Sequence, residues 1–134
     1  MITKTCTKCK DEMVSHNSIL SILSEIDKCD LVCACCHRIR TWGTRNVVIR
    51  PDVQRSLDKI ALLKEAPCMD CGGFFPPAAM DFDHVRGEKL SSISKLVSDS
   101  ARWELVVIEI EKCDLVCANC HRLRTNLRRL LEAA

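Results

Sequence analysis

A chain of 134 residues with a net charge of +2 has room for one domain or two very small ones, and its overall charge does not name a partner. Only five residues are aromatic (three Phe, two Trp), so a core in half of this chain would be marginal without a metal to supplement it. The 11 cysteines are an odd number, which argues against a closed disulfide set, and no apolar run approaches the length of a membrane span.

The N-terminal stretch "MITKTCTKCK" scatters charge through what would be the apolar part of a leader, so no targeting segment is expected. That points to a cytoplasmic setting, where thiols stay reduced and patterned cysteines usually mean metal. Next, "SHNSILSILSEIDK" reads as a helix leading into "KCDLVCACCHRIRT". His16 within it reads as an ordinary surface residue. The helical pattern after Cys36 breaks at Gly43.

The segment "RPDVQRSLDKIALLKEAP" reads as a helix joining two halves. Asp52 is its expected cap after Pro51, Val53, Leu57, Ile60 and Leu63 form the apolar stripe, and Pro67 marks the end. "MDFDH" then reads as a short strand with Met80 and Phe82 on one face and Asp81 and Asp83 on the other. "SARWELVVIEIEK" is a second lead-in helix, with Trp103 in the core. Beyond Cys120 a further helix carries two rows: Cys120, Leu123, Leu127 and Leu130/Leu131 are apolar, whereas His121, Arg124/Thr125 and Arg128 are polar.

The two lead-ins end in a repeat. Glu25–Thr41 and Glu109–Thr125 agree at 14 of 17 positions without a gap. Four Cys-x-x-Cys pairs result, with 23 residues between Cys6/Cys9 and Cys33/Cys36 and 45 between Cys68/Cys71 and Cys117/Cys120. Each pair of pairs fits a tetrahedral site of four thiolates, so two structural Zn²⁺ ions are expected. Cys29 and Cys113, equivalent in the repeat, read as small core residues. Cys35 stands where the second copy has Asn119 and competes for ligand choice in the first site. These three surplus cysteines are the only support for a thiol redox sensor.

The stretch "CMDCGG…MDFDHVRGEK…EIEKCDLVCANCHRLRT", residues 66–126, resembles the HNH endonucleases of phages and bacteria, in their zinc-stapled ββα-metal branch. The resemblance implies an α+β fold: a zinc-stabilised HNH unit at 67–134, a linker helix at 47–66, and a degenerate zinc-binding repeat at 1–46. It implies metal-dependent hydrolysis of DNA phosphodiester bonds. Asp83 matches the acidic metal ligand, His84 the general base and His121 the helical metal ligand. Cys68, Cys71, Cys117 and Cys120 match the structural zinc ligands.

The chemistry suits these roles. An imidazole takes a proton from water near pH 7, and a divalent ion, Mg²⁺ or Mn²⁺ in the cell, offsets charge at phosphorus. Phosphate contacts are expected from Arg86, Lys89, Arg122, Arg124 and Arg128. Lys112 stands where the middle Asn of an H-N-H signature falls, so that part passes to Asn119, Asp81 or backbone groups. No Asp-His lies between Cys9 and Cys33, so His37, the equivalent of His121, reads as structural or as a DNA contact. The other reading is a non-catalytic zinc module that binds nucleic acid. Both a monomer with an internal pseudo-repeat and a homodimer fit.

Overall fold

The computed structural model describes residues 4–5, 12–13, 19–42 and 48–133. Cys6, Cys9, His16 and Gly43 lie outside them. The chain divides into two compact units, Met1–Val32 and Cys33–Ala134. The division falls inside the first repeat copy, whereas the sequence suggested a boundary after residue 46.

In the first unit, strand β1 (Lys4–Thr5) pairs antiparallel with β2 (Glu12–Met13), Lys4 opposite Met13. Helix α1 spans Ile19–Ile26 and buries none of its residues. Cys29 is exposed, so the expectation of a core cysteine fails there. The reason is local: the apolar face of α1 that would cover it is itself exposed.

The second unit contains α2 (Ala34–Trp42), α3 (Pro51–Leu63), a 3₁₀ turn (Pro77–Ala79), β3 (Met80–His84), α4 (Ile93–Ser98), α5 (Trp103–Glu111), β4 (Cys113–Cys117) and α6 (Ala118–Glu132). Pro51 starts α3 at its first helical position, where its fixed φ costs nothing and no N–H is missed. Arg50 therefore occupies the cap position. Asp52, expected to be the cap, lies in the first turn, and its carboxylate accepts a hydrogen bond from the Ser100 hydroxyl. Ser92 caps α4 by accepting from the Lys95 N–H.

β3 and β4 form an antiparallel ribbon with Met80 opposite Cys117, Phe82 opposite Leu115 and His84 opposite Cys113. The connection between them is long enough to hold α4 and α5. α6 follows β4 directly and crosses the ribbon. Two small cores result. One holds Cys35, Cys68, Ala79, Met80, Val116 and Ala118, with small residues letting the starts of α2 and α6 come close. The other joins Ile60 of α3, Ile93 and Val97 of α4, Val106 of α5 and Cys113, with Trp103 packed at its side. Among the described residues, no helix is long and apolar enough to cross a membrane.

Cys113 thus takes the core place the sequence suggested, and burial pushes its thiol up to about 11. α6 inverts the usual amphipathic arrangement. Its polar row faces the ribbon, and its apolar row faces out: Leu123, Leu127, Leu130 and Leu131 are 60% to 78% exposed. The physical reason lies in β3 and β4, whose aspartates on that face need cations and hydrogen-bond donors more than they need leucines.

Candidate metal centre and its charged surroundings

The turn before the 3₁₀ segment and the start of α6 bring four sulfur atoms together. The Sγ atoms of Cys68, Cys71, Cys117 and Cys120 all lie within 4.8 Å of one another. Four thiolates about 2.3 Å from one ion stand roughly 3.8 Å apart, so small inward shifts complete a tetrahedron. The knuckle around Cys68 is tight. Gly72 donates to Cys68 O at 2.8 Å and adopts φ +70°, a conformation a side chain would strain.

Backbone amides also favour thiolate. Cys117 N–H donates to Cys68 Sγ at 3.2 Å and Cys120 N–H to Cys117 Sγ at 3.5 Å. At Cys68 burial works against ionisation, but amide hydrogen bonds from Cys71, Cys117 and Asp70 bring the thiol down to about 6. At Cys120 burial, and then the crowding of the other three sulfurs, pushes the pKa well above the ordinary range. Four such sulfurs cannot all ionise without a cation, and the donor set suits zinc.

Of the first site expected from sequence, only Cys33 and Cys36 fall among the described residues. They open α2, with Cys36 N–H donating to Cys33 Sγ at 3.5 Å. Amide hydrogen bonding from Cys36 and then the side chain of Asn119 lower Cys33 to about 7. Cys35 is buried in the core beside them, and its N–H donates to Asn119 Oδ1 at 3.3 Å. His37 is exposed on α2.

Between ribbon and helix lies a dense charged cluster. Strand alternation turns Asp81 and Asp83 toward α6. His121 Nδ1 is 2.9 Å from Asp81 Oδ2, and its Nε2 is 3.5 Å from Asp83 Oδ1. Asp83 is 3% exposed and accepts from Arg128 Nη1 (2.9 Å) and Nη2 (2.6 Å) and from Arg124 Nη1 (3.1 Å). Arg124 also binds Asp114 Oδ2 at 3.0 Å and pairs with Asp70. Arg86 holds Asp114 from the other side at 2.8 Å, and Arg38 of α2 pairs with Asp81.

Four carboxylates (Asp70, Asp81, Asp83, Asp114) thus face four guanidinium groups (Arg38, Arg86, Arg124, Arg128). Burial works to raise the Asp83 pKa, but the hydrogen bonds from Arg128 and Arg124 outweigh it and hold the carboxyl below its usual range. Of the five side chains expected to contact phosphate, Arg86, Arg124 and Arg128 are therefore engaged within the fold. Arg122 and Lys89 are exposed.

Asp83 and His121 bring a carboxylate oxygen and an imidazole nitrogen to 3.5 Å, with both Asp83 oxygens also held by Arg128 and Arg124. If Nδ1–H is donated to Asp81, the Nε2 lone pair faces the Asp83 oxygen. Two acceptors 3.5 Å apart need a cation between them or a proton on the ring.

His84, next in line on β3, has its hydrogen-bond partner outside this cluster. Its Nε2 is 2.9 Å from Oε1 of Glu109, which is completely buried. Glu109 also accepts from Leu90 N–H at 3.1 Å and from Lys112 Nζ at 2.9 Å. Lys112 in turn donates to Glu88 O at 2.9 Å. Of the groups expected to steady this loop, Asn119 binds α2 and Asp81 binds His121, while backbone groups do take part: Val85 and Arg86 N–H both donate to Lys112 O at 3.1 Å, beside the Lys112–Glu109 pair. Sequence reasoning missed Glu109. The signal was an acid in the apolar run "LVVIEIE", on the same helical face as Val106.

The repeat carries the pair too. Lys28 Nζ lies 2.8 Å from Glu25 Oε1, at the positions equivalent to Lys112 and Glu109. In both copies the cysteine after the lysine donates to the glutamate carbonyl at 3.3 Å. His84, Asp81 and His121 all line one pocket of about 400 Å³ along β3. Compared with models of protein families, with curated proteins and with solved structures, the chain matches none.

Proposed function

We propose that this chain is a metal-dependent endonuclease of the HNH type that hydrolyses DNA phosphodiester bonds. The observation that carries the reading is the Asp83–His121 pair. A strand carboxylate and a helix imidazole face each other 3.5 Å apart, with the next strand residue, His84, fixed by a buried carboxylate.

Asp83 and His121 would hold the ion, with Asp81 orienting the ring of His121. A divalent ion there supplies positive charge for the phosphate and the departing oxygen. Glu109 is surrounded by donors, so it is ionised and takes Nε2–H from His84. Nδ1 of His84 is then the unprotonated nitrogen that accepts a proton from water. The four-cysteine cluster, as a zinc site, fixes Cys120 and with it the neighbouring His121 against β3.

A plasmid-nicking assay with Mg²⁺ or Mn²⁺ tests this by comparing wild type with His84→Ala. Rates should fall about 10²–10⁴-fold, the usual contribution of a general base. Metal-dependent cutting that survives the substitution would sink the assignment.

One observation favours a second reading, a zinc module that binds nucleic acid without cutting it. Both oxygens of Asp83 are occupied by arginines. Salt-sensitive DNA binding with no cutting under any metal would select it.

A further inference from the structure

Two hollows meet at His121. One, about 320 Å³, runs between α2 and α6 and is lined by Arg38, Arg122, Arg129, Thr125 and Asn126. Arg38 is paired with Asp81, while Arg122 and Arg129 are exposed on α6 with no ion pair among the described residues. The other is the pocket of about 400 Å³ along β3. Its floor is apolar, from Leu57, Ile60 and Val97, and two aromatic rings, Trp42 and Phe82, line it. Phe82 lies under the Lys64 ammonium, 5.6 Å from nitrogen to ring centre. Trp42 closes α2 with 68% of its surface exposed.

These features divide as a nucleotide divides. A groove with two available guanidinium groups matches a chain of phosphates. An apolar pocket walled by aromatic rings, one under a cation, matches the flat, polarisable face of a base. The pocket volume lies in the ordinary range for small-ligand sites. The shared wall, His121, is where base and phosphate would join. A base stacked in a duplex is covered on both faces by its neighbours and cannot enter a lateral pocket without being extruded.

We infer that this site takes a DNA strand with an unpaired nucleotide, its phosphates along Arg122 and Arg129 and its base in the Trp42–Phe82 pocket. The inference rests on the nucleic-acid reading above and names its substrate class: single-stranded or locally unpaired DNA rather than intact duplex.

The test uses the full-length, metal-loaded chain without added divalent ion, so that binding is read apart from cutting. Fluorescence anisotropy compares a labelled single strand with a hairpin duplex of the same sequence over a salt series. The single strand should bind at least about tenfold tighter. Trp42→Ala should weaken single-strand binding about tenfold and leave duplex binding within about twofold. Arg122→Ala with Arg129→Ala should weaken both forms and flatten the salt dependence by one to two units of slope, roughly. Because Trp42 is exposed, its variant should keep the wild-type circular dichroism spectrum. In Trp103→Phe, Trp42 is the only tryptophan, and its emission should be quenched by the single strand.

Duplex binding as tight as single-strand binding overturns the inference, as does single-strand binding indifferent to Trp42→Ala. If the strand binds as described but no metal supports cutting, the nuclease reading falls and this one stands. If DNA is cut but Trp42 is irrelevant, the reverse holds.

Discussion

Glu109 shows how one buried side chain organises the groups around it. Its two oxygens are shared among His84, Lys112 and the Leu90 amide, so the ring and the loop it faces move together or not at all. Its carboxyl is held below the usual glutamate range, first by the hydrogen bond from Lys112, against burial, and then by His84. A carboxyl depressed in the fold stabilises the protein above its unfolded pKa of about 4.3, and that stability is lost as pH falls through the lower folded value. Glu109→Gln should therefore cost about 1–3 kcal/mol at pH 7 by leaving donors poorly matched. The gap between variant and wild type in chemical denaturation should narrow below about pH 4. A gap that does not change with pH would mean that the charge of Glu109 contributes nothing to stability.

At the scale of elements, α6 is the instructive case. Its two rows were legible in the sequence, but which row turns inward was not. Amphipathic helices usually bury leucines, and here the partner face carries Asp81, Asp83 and Asp114, so the histidine–arginine row is buried in their place. Leu127→Ala should change unfolding stability by no more than about 0.5 kcal/mol. Met80→Ala, at the centre of the first core, should cost about 2–5 kcal/mol. Equal losses would mean that α6 packs the other way round. β3, by contrast, was readable to the residue, because a five-residue alternation between apolar and acidic side chains has one solution on a two-faced strand. The helices leading into each second cysteine pair were readable too: α1 and α5 both fall inside the stretches expected. The apolar run around Glu109 hinted that it is buried, but not that its partners are Lys112 and the distant His84.

The whole second unit hangs on little apolar surface. Its two cores are small, and the four sulfurs of Cys68, Cys71, Cys117 and Cys120 bring the Cys68 turn against the β4–α6 junction, placed to hold a metal ion. The folding contribution of a four-thiolate zinc is on the order of 10 kcal/mol, comparable to the whole stability of a small domain. A strong chelator, or Cys117→Ser, should therefore abolish cooperative unfolding and most of the helical circular dichroism. Retention of a sharp thermal transition after complete metal removal would show that the cores suffice alone.

The bond from Cys35 N–H to Asn119 Oδ1 joins two positions that are equivalent in the repeat. Contact between equivalent positions is what an isologous interface produces when two identical subunits meet about a two-fold axis. Here both halves belong to one chain, so the symmetry is free to break, and it has broken at this pair. An asparagine on both sides would offer an acceptor in each direction, and a cysteine on both sides would offer neither. One of each gives a single, directed bond. The chain therefore carries, inside one polypeptide, an interface with a distinguishable left and right. That asymmetry lets one copy of the segment supply His121 to the charged cluster while the other supplies Arg38, paired with Asp81.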